Sequence, residues 1–553
     1  MNQIWTVPVL IMLGTAAFVL LINRDRSNIG AAWFVSILAA LFVWGWTLSL
    51  YWRSGMARGE IITSGNDFLF RIFQSGAERY SAGNLISTAE RVFVLDRISY
   101  PYLLSAATLL LVLLLTAPSY MDPEAAPRLW FFYLILEAVG YLAVSANGVL
   151  PVVYCWVIFD ALDLLSQYVQ SRPNGISRRF LTAIGIRFLG TMLAVLSVCY
   201  SAADLSEGIS VYISPKGGVI LLLACALRMG ILPLSQPYGE MDTSRVGLGT
   251  MLRLMSILTV MPVLSRIPMT ALSLQTVHLL SLIGAFASIV GGLGWLLSSN
   301  ATSGNTYMAL AICGMAFACA VSGEQQSLTA WGVSIALTCA PLALYQVHNF
   351  LMNVLAGLLI AAFSGLPYTP NAIGWNGLVR APYSVKDLLF IIVMTLLIGG
   401  AYIHVLRAAG RKMTDLEPWM RSVYPLGFVA AIGTQVFISM TSYDQQFSMG
   451  VIPASVTAFA GGLLITLVAN HYPSGQSAQN LLAWGREGAS LFWRTTRKAM
   501  DMEWLLSIMR KIAAAIQRVV DAVSGVLENN GGILWELLLM AMMLAVILSG
   551  GAG

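Results

Sequence analysis

The sequence predicts an all-α polytopic membrane protein with about 14–16 transmembrane helices. Of its 553 residues, 58% are hydrophobic and 10% are charged, whereas a soluble domain carries about 25% charged residues. Apolar runs close to 20 residues long recur along the whole chain, and a helix needs about that length to cross a bilayer. The net charge of +5 is too small and too dispersed to indicate binding to nucleic acid.

These runs define sixteen candidate spans. They are 4–23, 29–51, 98–118, 129–147, 149–168, 181–203, 218–236, 246–265, 275–298, 305–322, 328–347, 350–365, 384–406, 424–441, 452–470 and 532–549. The first run is not a cleaved signal peptide, because no basic segment precedes it and another span follows at once. We therefore expect a transmembrane bundle over 1–471 with an outer-face loop at 52–97, a lateral helix over 472–531, and a final transmembrane helix over 532–553.

The predicted lateral helix is amphipathic. Apolar residues recur at helical spacing, and charged residues fill the other side: Leu505, Met509, Ile512, Ile516, Val519, Val523 and Val526 on the first side, and Arg510, Lys511, Arg518 and Asp521 on the second. The Asn-Asn-Gly-Gly run at 529–532 stops it before the last span. Such a helix either lies in the membrane interface or forms a strut along neighbouring subunits.

Basic residues predict the orientation. The connections at 24–28, 169–180 and 407–423 are the basic ones, and with sixteen spans they fall on one face. The positive-inside rule assigns that face to the cytoplasm, which places the N-terminus outside a bacterial-type cytoplasmic (inner) membrane. The loop at 52–97, with six Arg against five acids, opposes this assignment weakly.

Charged residues inside the spans are the first candidates for function, because each costs about 2.5–3.5 kcal/mol at membrane depth. Arg228 precedes a break at Gly230 and Pro233, whose freed backbone groups bare lipid could not satisfy. We expect a carboxylate partner for Arg228, with Asp160 first and Asp163 or Glu137 next. Pairs of this kind either mark an ion path or only lock helices together.

A second interruption lies at 363–374, where Gly365 and Pro367 break an apolar run. Two interrupted helices are typical of transporters built from inverted repeats, although an ordinary loop between spans would also fit the second one. The six cysteines lie inside apolar runs without metal-ligand spacing, which indicates packing residues. No phosphate loop, dinucleotide fingerprint or nucleophile elbow is present, so we expect no cofactor, no metal and no catalytic residue.

Several of these segments resemble the antiporter-like membrane subunits of respiratory complex I and of Mrp-type cation/proton antiporters. The resembling segments are FVLDRIS at 93–99, WVIFD at 156–160, LRMGILP at 227–233, Thr243-Ser244 with MLR at 251–253, and GLPYT at 365–369. They are similar, in order, to the entry of the family's third span, its fifth-span glutamate site, its first broken helix, its next span with a second lysine, and its second broken helix. The lateral helix resembles that of the family's most distal subunit.

The resemblance implies a role in proton or cation translocation driven by a partner's redox chemistry. In the family, glutamate–lysine pairs and midplane lysines or histidines are held to carry protons. Here Asp160 stands for the glutamate, Arg228 and Arg253 stand for lysines, and Trp375 falls near the position of a titratable residue. Arginine stays charged, whereas a buried lysine can release its proton.

Three hypotheses follow. The first is an antiporter-like subunit of a complex-I-related assembly, with other membrane subunits, the lipid bilayer, and protons or sodium as its partners. The second is a non-conducting structural subunit with the same fold, kept for assembly. The third is a polytopic membrane enzyme of glycan processing, which the lack of histidine in the 52–97 loop disfavours.

Overall fold

The computed structural model describes most of the predicted bundle. The described residues are 6–22, 29–53, 62–63, 93–120, 126–170, 178–204, 215–234, 246–267, 272–298, 301–367, 369–380, 382–407, 411–442, 450–471 and single residues between 507 and 542. Residues Met1–Trp493 form one compact unit, and Arg494–Gly553 form a second. The lateral helix and the final span fall almost entirely outside the described residues, so both stay predictions, as does the division of the chain at 471 and 531.

The described chain is built from α-helices, which confirms the predicted fold class. In the first half they are α1 Val7–Ile22, α2 Ile29–Arg53, α3 Ser99–Thr116, α4 Ala126–Ser145, α5 Val149–Gln170, α6 Arg178–Asp204, α7 Pro215–Arg228, α8 Val246–Leu258 and α9 Met261–Arg266. In the second half they are α10 Leu274–Leu297, α11 Ala301–Val321, α12 Gln325–Ser334, α13 Ala340–Ala343, α14 Phe350–Phe363, α15 Val385–Arg407, α16 Pro418–Ser442 and α17 Val451–His471.

Fifteen of the sixteen predicted spans coincide with these helices. Within the described residues, eleven helical stretches are long and apolar enough to cross a membrane, and α1 and α14 are shorter apolar helices. The full count of about 14–16 therefore stays a prediction. Three predicted spans are not single regular helices. In 218–236 the helix α7 ends at Arg228, 246–265 is divided between α8 and α9, and 328–347 carries a π-helical segment, Ile335–Cys339, between α12 and α13. Such π segments often occur at functional sites.

Short elements complete the described structure. Three 3₁₀ turns follow or precede the helices, at Ala117–Ser119, Ala372–Gly377 and Met413–Asp415. Strand β1, Ile62–Thr63, pairs antiparallel with β2, Val94–Leu95. A second pair is parallel, with Val347 of β3 (Val347–His348) opposite Arg411 of β4 (Arg411–Lys412). These pairs are too short to change the helical class.

The core of the bundle contains helices that are buried on all sides. Every residue of α3 and of α8 is buried, as is every residue of α11 from Gly304 to Val321. By contrast, α5 and α6 expose one face of large apolar side chains. A helix that is apolar all round belongs in the interior, while the exposed apolar faces of α5 and α6 suit lipid or neighbouring subunits.

Both predicted breaks contain a glycine in the left-handed region. Gly230 follows α7 with φ 75°, and the Leu232–Pro233 peptide bond just after it is cis. Gly365 follows α14 with φ 71°, and Pro367 comes before the 3₁₀ turn Ala372–Gly377. Because this region is open to glycine at little cost, glycine terminates the helix at each point. Whether the two breaks are related as inverted repeats stays a prediction.

Candidate ion-pair site beside the first helix break

Three consecutive helices bring four charged side chains together. Helix α5 supplies Asp160 and Asp163, α6 supplies Arg187, and α7 supplies Arg228. The two aspartates stand three residues apart and therefore share a face of α5. Two acids and two arginines sum to zero net charge, which meets the requirement that buried charges be paired. We call these residues the four-charge cluster.

Arg228 makes four hydrogen bonds in and around the four-charge cluster. Its Nη1 donates to Oδ2 of Asp160 at 2.9 Å, and its Nη2 donates to Oδ1 of the same residue at 3.3 Å. Nη1 also lies 2.7 Å from the hydroxyl of Thr191 and 3.3 Å from the carbonyl oxygen of Arg187. The guanidinium side chain is fully buried. The structure thus joins Arg228 to Asp160, the first of the three partners considered from the sequence.

The local fold explains why Arg228 ends its helix. The N–H of Ile231 donates to the carbonyl of Ala226 at 2.9 Å, and the N–H of Gly230 donates to that of Leu227 at 3.2 Å. Together with the left-handed glycine, these two bonds form a Schellman motif. A basic residue in the last turn also interacts favourably with the negative end of the helix dipole. The break and the charge at it therefore belong to one local arrangement.

Arg187 connects the two aspartates. Its Nη1 lies 3.4 Å from Oδ1 of Asp160, and its Nη2 donates a hydrogen bond to Oδ2 of Asp163. Arg187 and Asp163 are 2% and 0% exposed, so this pair is as deeply buried as Arg228. Asp163 is therefore held by Arg187 rather than by Arg228. In the sequence, Arg187 is only one of several charged residues inside spans, and its spacing does not identify a partner.

Trp156 forms one wall of the cluster. The guanidinium carbon of Arg228 lies 4.4 Å from the centroid of its ring, within the range of a cation–π interaction. The indole N–H of Trp156 donates to the Thr259 hydroxyl at 3.0 Å, and Thr259 lies between α8 and α9. This hydrogen bond connects the cluster to the segment between α8 and α9, where the predicted span 246–265 is interrupted.

Asp160 is the member of the cluster nearest to the surface of the chain. Its side chain is 12% exposed, against 2% or less for the other three members. On the same helix, Val157 and Ile158 are 44% and 43% exposed. The outer approach to Asp160 is therefore apolar in the isolated chain.

The other two predicted site residues lie outside the cluster. Arg253 is on α8, 6% exposed, and lies near Cys339 of the π-helical segment. Glu137 is on α4, fully buried, and neither of its oxygens has a hydrogen-bond partner among the described residues. The expectation that Glu137 could be a partner of Arg228 is thus not met. The functional roles predicted for both residues stay predictions.

The second break is packed with tryptophan. The indole N–H of Trp375 donates to the carbonyl of Ser364 at 3.2 Å, and that of Trp331 donates to the carbonyl of Gly374 at 2.8 Å. The two rings meet edge to face with centroids 6.4 Å apart, and both side chains are fully buried. A Cβ atom at Gly365 would overlap Nε1 of Trp375. None of these groups ionises near neutral pH.

Uncharged polar contacts also join segments that lie far apart in the sequence, and the sequence did not single them out. Gln435 donates to the Thr338 hydroxyl of the π-helical segment at 2.7 Å. The hydroxyls of Thr434 and Thr108 lie 3.1 Å apart, and the indole N–H of Trp44 donates to Thr434 at 3.2 Å. Isolated polar residues in apolar runs are common, so no spacing signal identified this set.

Fold and site together define a polytopic α-helical membrane protein with two interrupted helices and a buried ion-pair cluster beside the first. Among the described residues, no group of three or more His, Cys, Asp or Glu side chains could hold a metal ion. No protein-family model matches the chain, and no curated protein sequence matches it.

Solved structures do resemble the chain. A chain of the membrane-bound sulfane sulfur reductase, an archaeal respiratory membrane complex, is similar with a TM-score of 0.65 and 13% identity, over 98% of this chain and 99% of that one. A chain of the Mrp complex from Dietzia sp. DQ12-45-1b is similar with a TM-score of 0.61 and 12% identity, over 93% of this chain and 63% of that one. A chain of respiratory complex I from Thermus thermophilus is similar with a TM-score of 0.50 and 17% identity, over 90% and 99%.

These similarities confirm the predicted resemblance at the level of fold. The chain has the fold of membrane subunits from complex I, from an Mrp antiporter and from an archaeal respiratory complex.

Proposed function

We propose that this chain is an antiporter-like membrane subunit of a complex-I-related assembly and contributes to proton or cation translocation coupled to a partner's redox chemistry. The observation that supports this best is the buried pairing of Asp160 with Arg228 beside the Gly230 break. Ionisable residues inside a membrane are costly and are usually functional. The fold shared with subunits of respiratory and antiporter complexes supports the same proposal.

We assign the proton-carrying role in this proposal to the carboxylates of the four-charge cluster. Arg228 and Arg187 keep their charge under all physiological conditions, so they act as fixed positive charges. Asp160 contacts both of them and is the member nearest to the surface. A proton that arrives at Asp160 would change the charge of the cluster from zero to +1 and release two guanidinium contacts. In this proposal Asp160 is the titrating group, and the arginines set how strongly it holds a proton or a cation.

We place the translocation step in the first half of the chain. Near the second break, Trp331 and Trp375 fill the space with rings that cannot carry a proton. The same tryptophan packing favours a second candidate function, namely a non-conducting structural subunit with this fold. In that case the Asp160–Arg228 pair would only clamp α5 to α7.

The variant Arg228→Lys separates the two candidates. It keeps the positive charge but introduces a group that can release a proton when buried. We expect the variant to change the pH dependence of proton translocation by the intact assembly, measured with a pH-sensitive dye in inverted membrane vesicles. Arg380→Lys is the control, because Arg380 is 73% exposed and pairs with Glu324 at the surface. Normal assembly of Arg228→Lys with an unchanged pH profile would favour the structural subunit.

The membrane context also belongs to the proposal. We infer a cytoplasmic (inner) membrane of bacterial type with the N-terminus outside, supported by the basic connections at 24–28, 169–180 and 407–423. We propose other membrane subunits as partners and the 478–528 segment as the strut between them. Deletion of 478–553 should then release the chain from its complex while the earlier spans still insert. If the complex assembles normally after the deletion, the segment is an interfacial helix.

A further inference from the structure

Helix α4 carries a stripe of buried polar side chains, and its one other charged residue is the exposed Arg128 in its first turn. Tyr133, Glu137, Tyr141 and Ser145 follow one another at intervals of four residues, and all four are fully buried. Residues four apart lie on the same helix face. At a rise of 1.5 Å per residue the stripe extends about 18 Å, which is more than half of the roughly 30 Å hydrocarbon thickness of a bilayer.

Other hydroxyl groups meet the stripe on both sides of Glu137. The hydroxyl of Tyr141 lies 3.2 Å from that of Thr47 on α2. The Ser145 hydroxyl donates to the carbonyl of Tyr141 at 3.0 Å. Toward the other end, the phenol oxygens of Tyr133 and Tyr120 both lie beside Gly247. Among the described residues, neither the Tyr133 hydroxyl nor the Glu137 carboxyl group makes a hydrogen bond in this structure. Because hydroxyl groups both donate and accept hydrogen bonds, those on either side of Glu137 suit a proton relay that forms when these side chains move.

Glu137 stands in the stripe between Tyr133 and Tyr141, and no counter-ion bonds to it among the described residues. Neither carboxyl oxygen has a hydrogen-bond partner among the described residues, so Arg253 of α8 donates to neither. The four-charge cluster accounts for the aspartates of α5, which also packs against α4. Of the remaining neighbours, α1 and α3 contain no charged residue, and α2 contains only Arg53, its last residue. Among the described residues, the nearby titratable groups are Tyr133 and Tyr141 of α4, Tyr120 just after the 3₁₀ turn that follows α3, and Tyr100 of α3, which lies near Tyr141.

We propose that Glu137 is a proton-binding site: a neutral carboxylic acid at pH 7 that exchanges its proton through the hydroxyl groups of the α4 stripe. An isolated ionised carboxylate in such a setting is so unfavourable that the group takes up a proton instead. The site is distinct from the four-charge cluster, because its carboxyl oxygens bond to none of the cluster's arginines. A role for this proton in translocation rests on the proposed function. The presence of the proton on Glu137 can be measured without any translocation.

Infrared spectroscopy of the full-length chain in a detergent without carbonyl groups tests the proposal directly. The wild type should show the C=O stretching band of a protonated carboxylic acid at pH 7, and Glu137→Gln should lack it. Glu324→Gln is the matched control, because Glu324 is a partly exposed carboxylate paired with Arg380, and its loss should leave the band in place. A wild type without the band, or a band that persists in Glu137→Gln, would overturn the proposal.

Two further measurements complete the test. If Glu137→Gln does not fold, Glu137→Asp should move the band to a different frequency, and an unmoved band would overturn the assignment. Tyr141→Phe removes one hydroxyl from the stripe and should slow the shift of the band after transfer to D₂O, whereas an unchanged exchange rate would contradict the role of the stripe. An assembly that shows the Glu137 band but no proton translocation in wild-type vesicles would refute only the proposed function.

Discussion

The strongest energetic prediction concerns Arg228→Ala in the four-charge cluster. The substitution removes the two contacts to Asp160 at 2.9 and 3.3 Å and the 4.4 Å stacking on Trp156. It leaves a cluster with a net charge of −1. Removal of one member of a buried pair costs about 3–5 kcal/mol. Because Arg187 remains 3.4 Å from Asp160 and offsets part of the loss, we expect the lower end of that range.

The double variant Asp160→Ala/Arg228→Ala makes the prediction sharper. It leaves Arg187 paired with Asp163, so the net charge returns to zero. We therefore expect the double variant to be more stable than Arg228→Ala alone, with a coupling free energy of about 1–3 kcal/mol, as found for residues in one network. A matched surface cycle on Arg380 and Glu324, whose side chains are 73% and 35% exposed, should give less than about 1 kcal/mol.

Thermal unfolding in detergent, followed with a thiol-reactive fluorophore, suits this chain. Cys155, Cys225, Cys313, Cys319 and Cys339 are buried, so they react as the bundle opens. Exposed Cys199 gives a constant background. If the effects of the two single substitutions add to within about 0.5 kcal/mol in the double variant, the energetic coupling between Asp160 and Arg228 is refuted.

The remaining predictions concern the second break, the cluster and the orientation. Gly365→Ala should destabilise the chain by more than about 2 kcal/mol, because it combines a left-handed residue with overlap on an indole. Gly357→Ala within α14 has open space around it and should be neutral or stabilising in the same unfolding assay. Asp163→Asn should cost about 1–3 kcal/mol, since it weakens a buried charged contact but leaves a second carboxylate beside the same arginine; an unchanged unfolding temperature would contradict the pairing. A cysteine at Ser490 should be labelled by impermeant reagents from the cytoplasmic side and one at Ser64 from outside, and labelling of both from one side would rule out the proposed span count.

The sequence alone determined the helical elements and the two breaks. A continuous apolar run of about 20 residues crosses a membrane as an α-helix, because the backbone groups in lipid must be hydrogen-bonded within the segment. Helices α2 and α10 therefore follow from length and composition. Gly230 and Gly365 likewise mark points where only a glycine takes the required backbone conformation at little cost. The need of a buried guanidinium for a carboxylate also made Asp160 the expected partner of Arg228, which is the pair that the structure contains.

Only the tertiary structure decided which side chains share a site. Whether a carboxylate meets an arginine depends on the rotation of each helix about its axis, and that rotation is set by packing against neighbours rather than by the residue's own sequence context. For this reason Asp163 bonds to Arg187, and Trp331 meets Trp375 at the second break. Glu137, by contrast, makes no hydrogen bond to any arginine among the described residues.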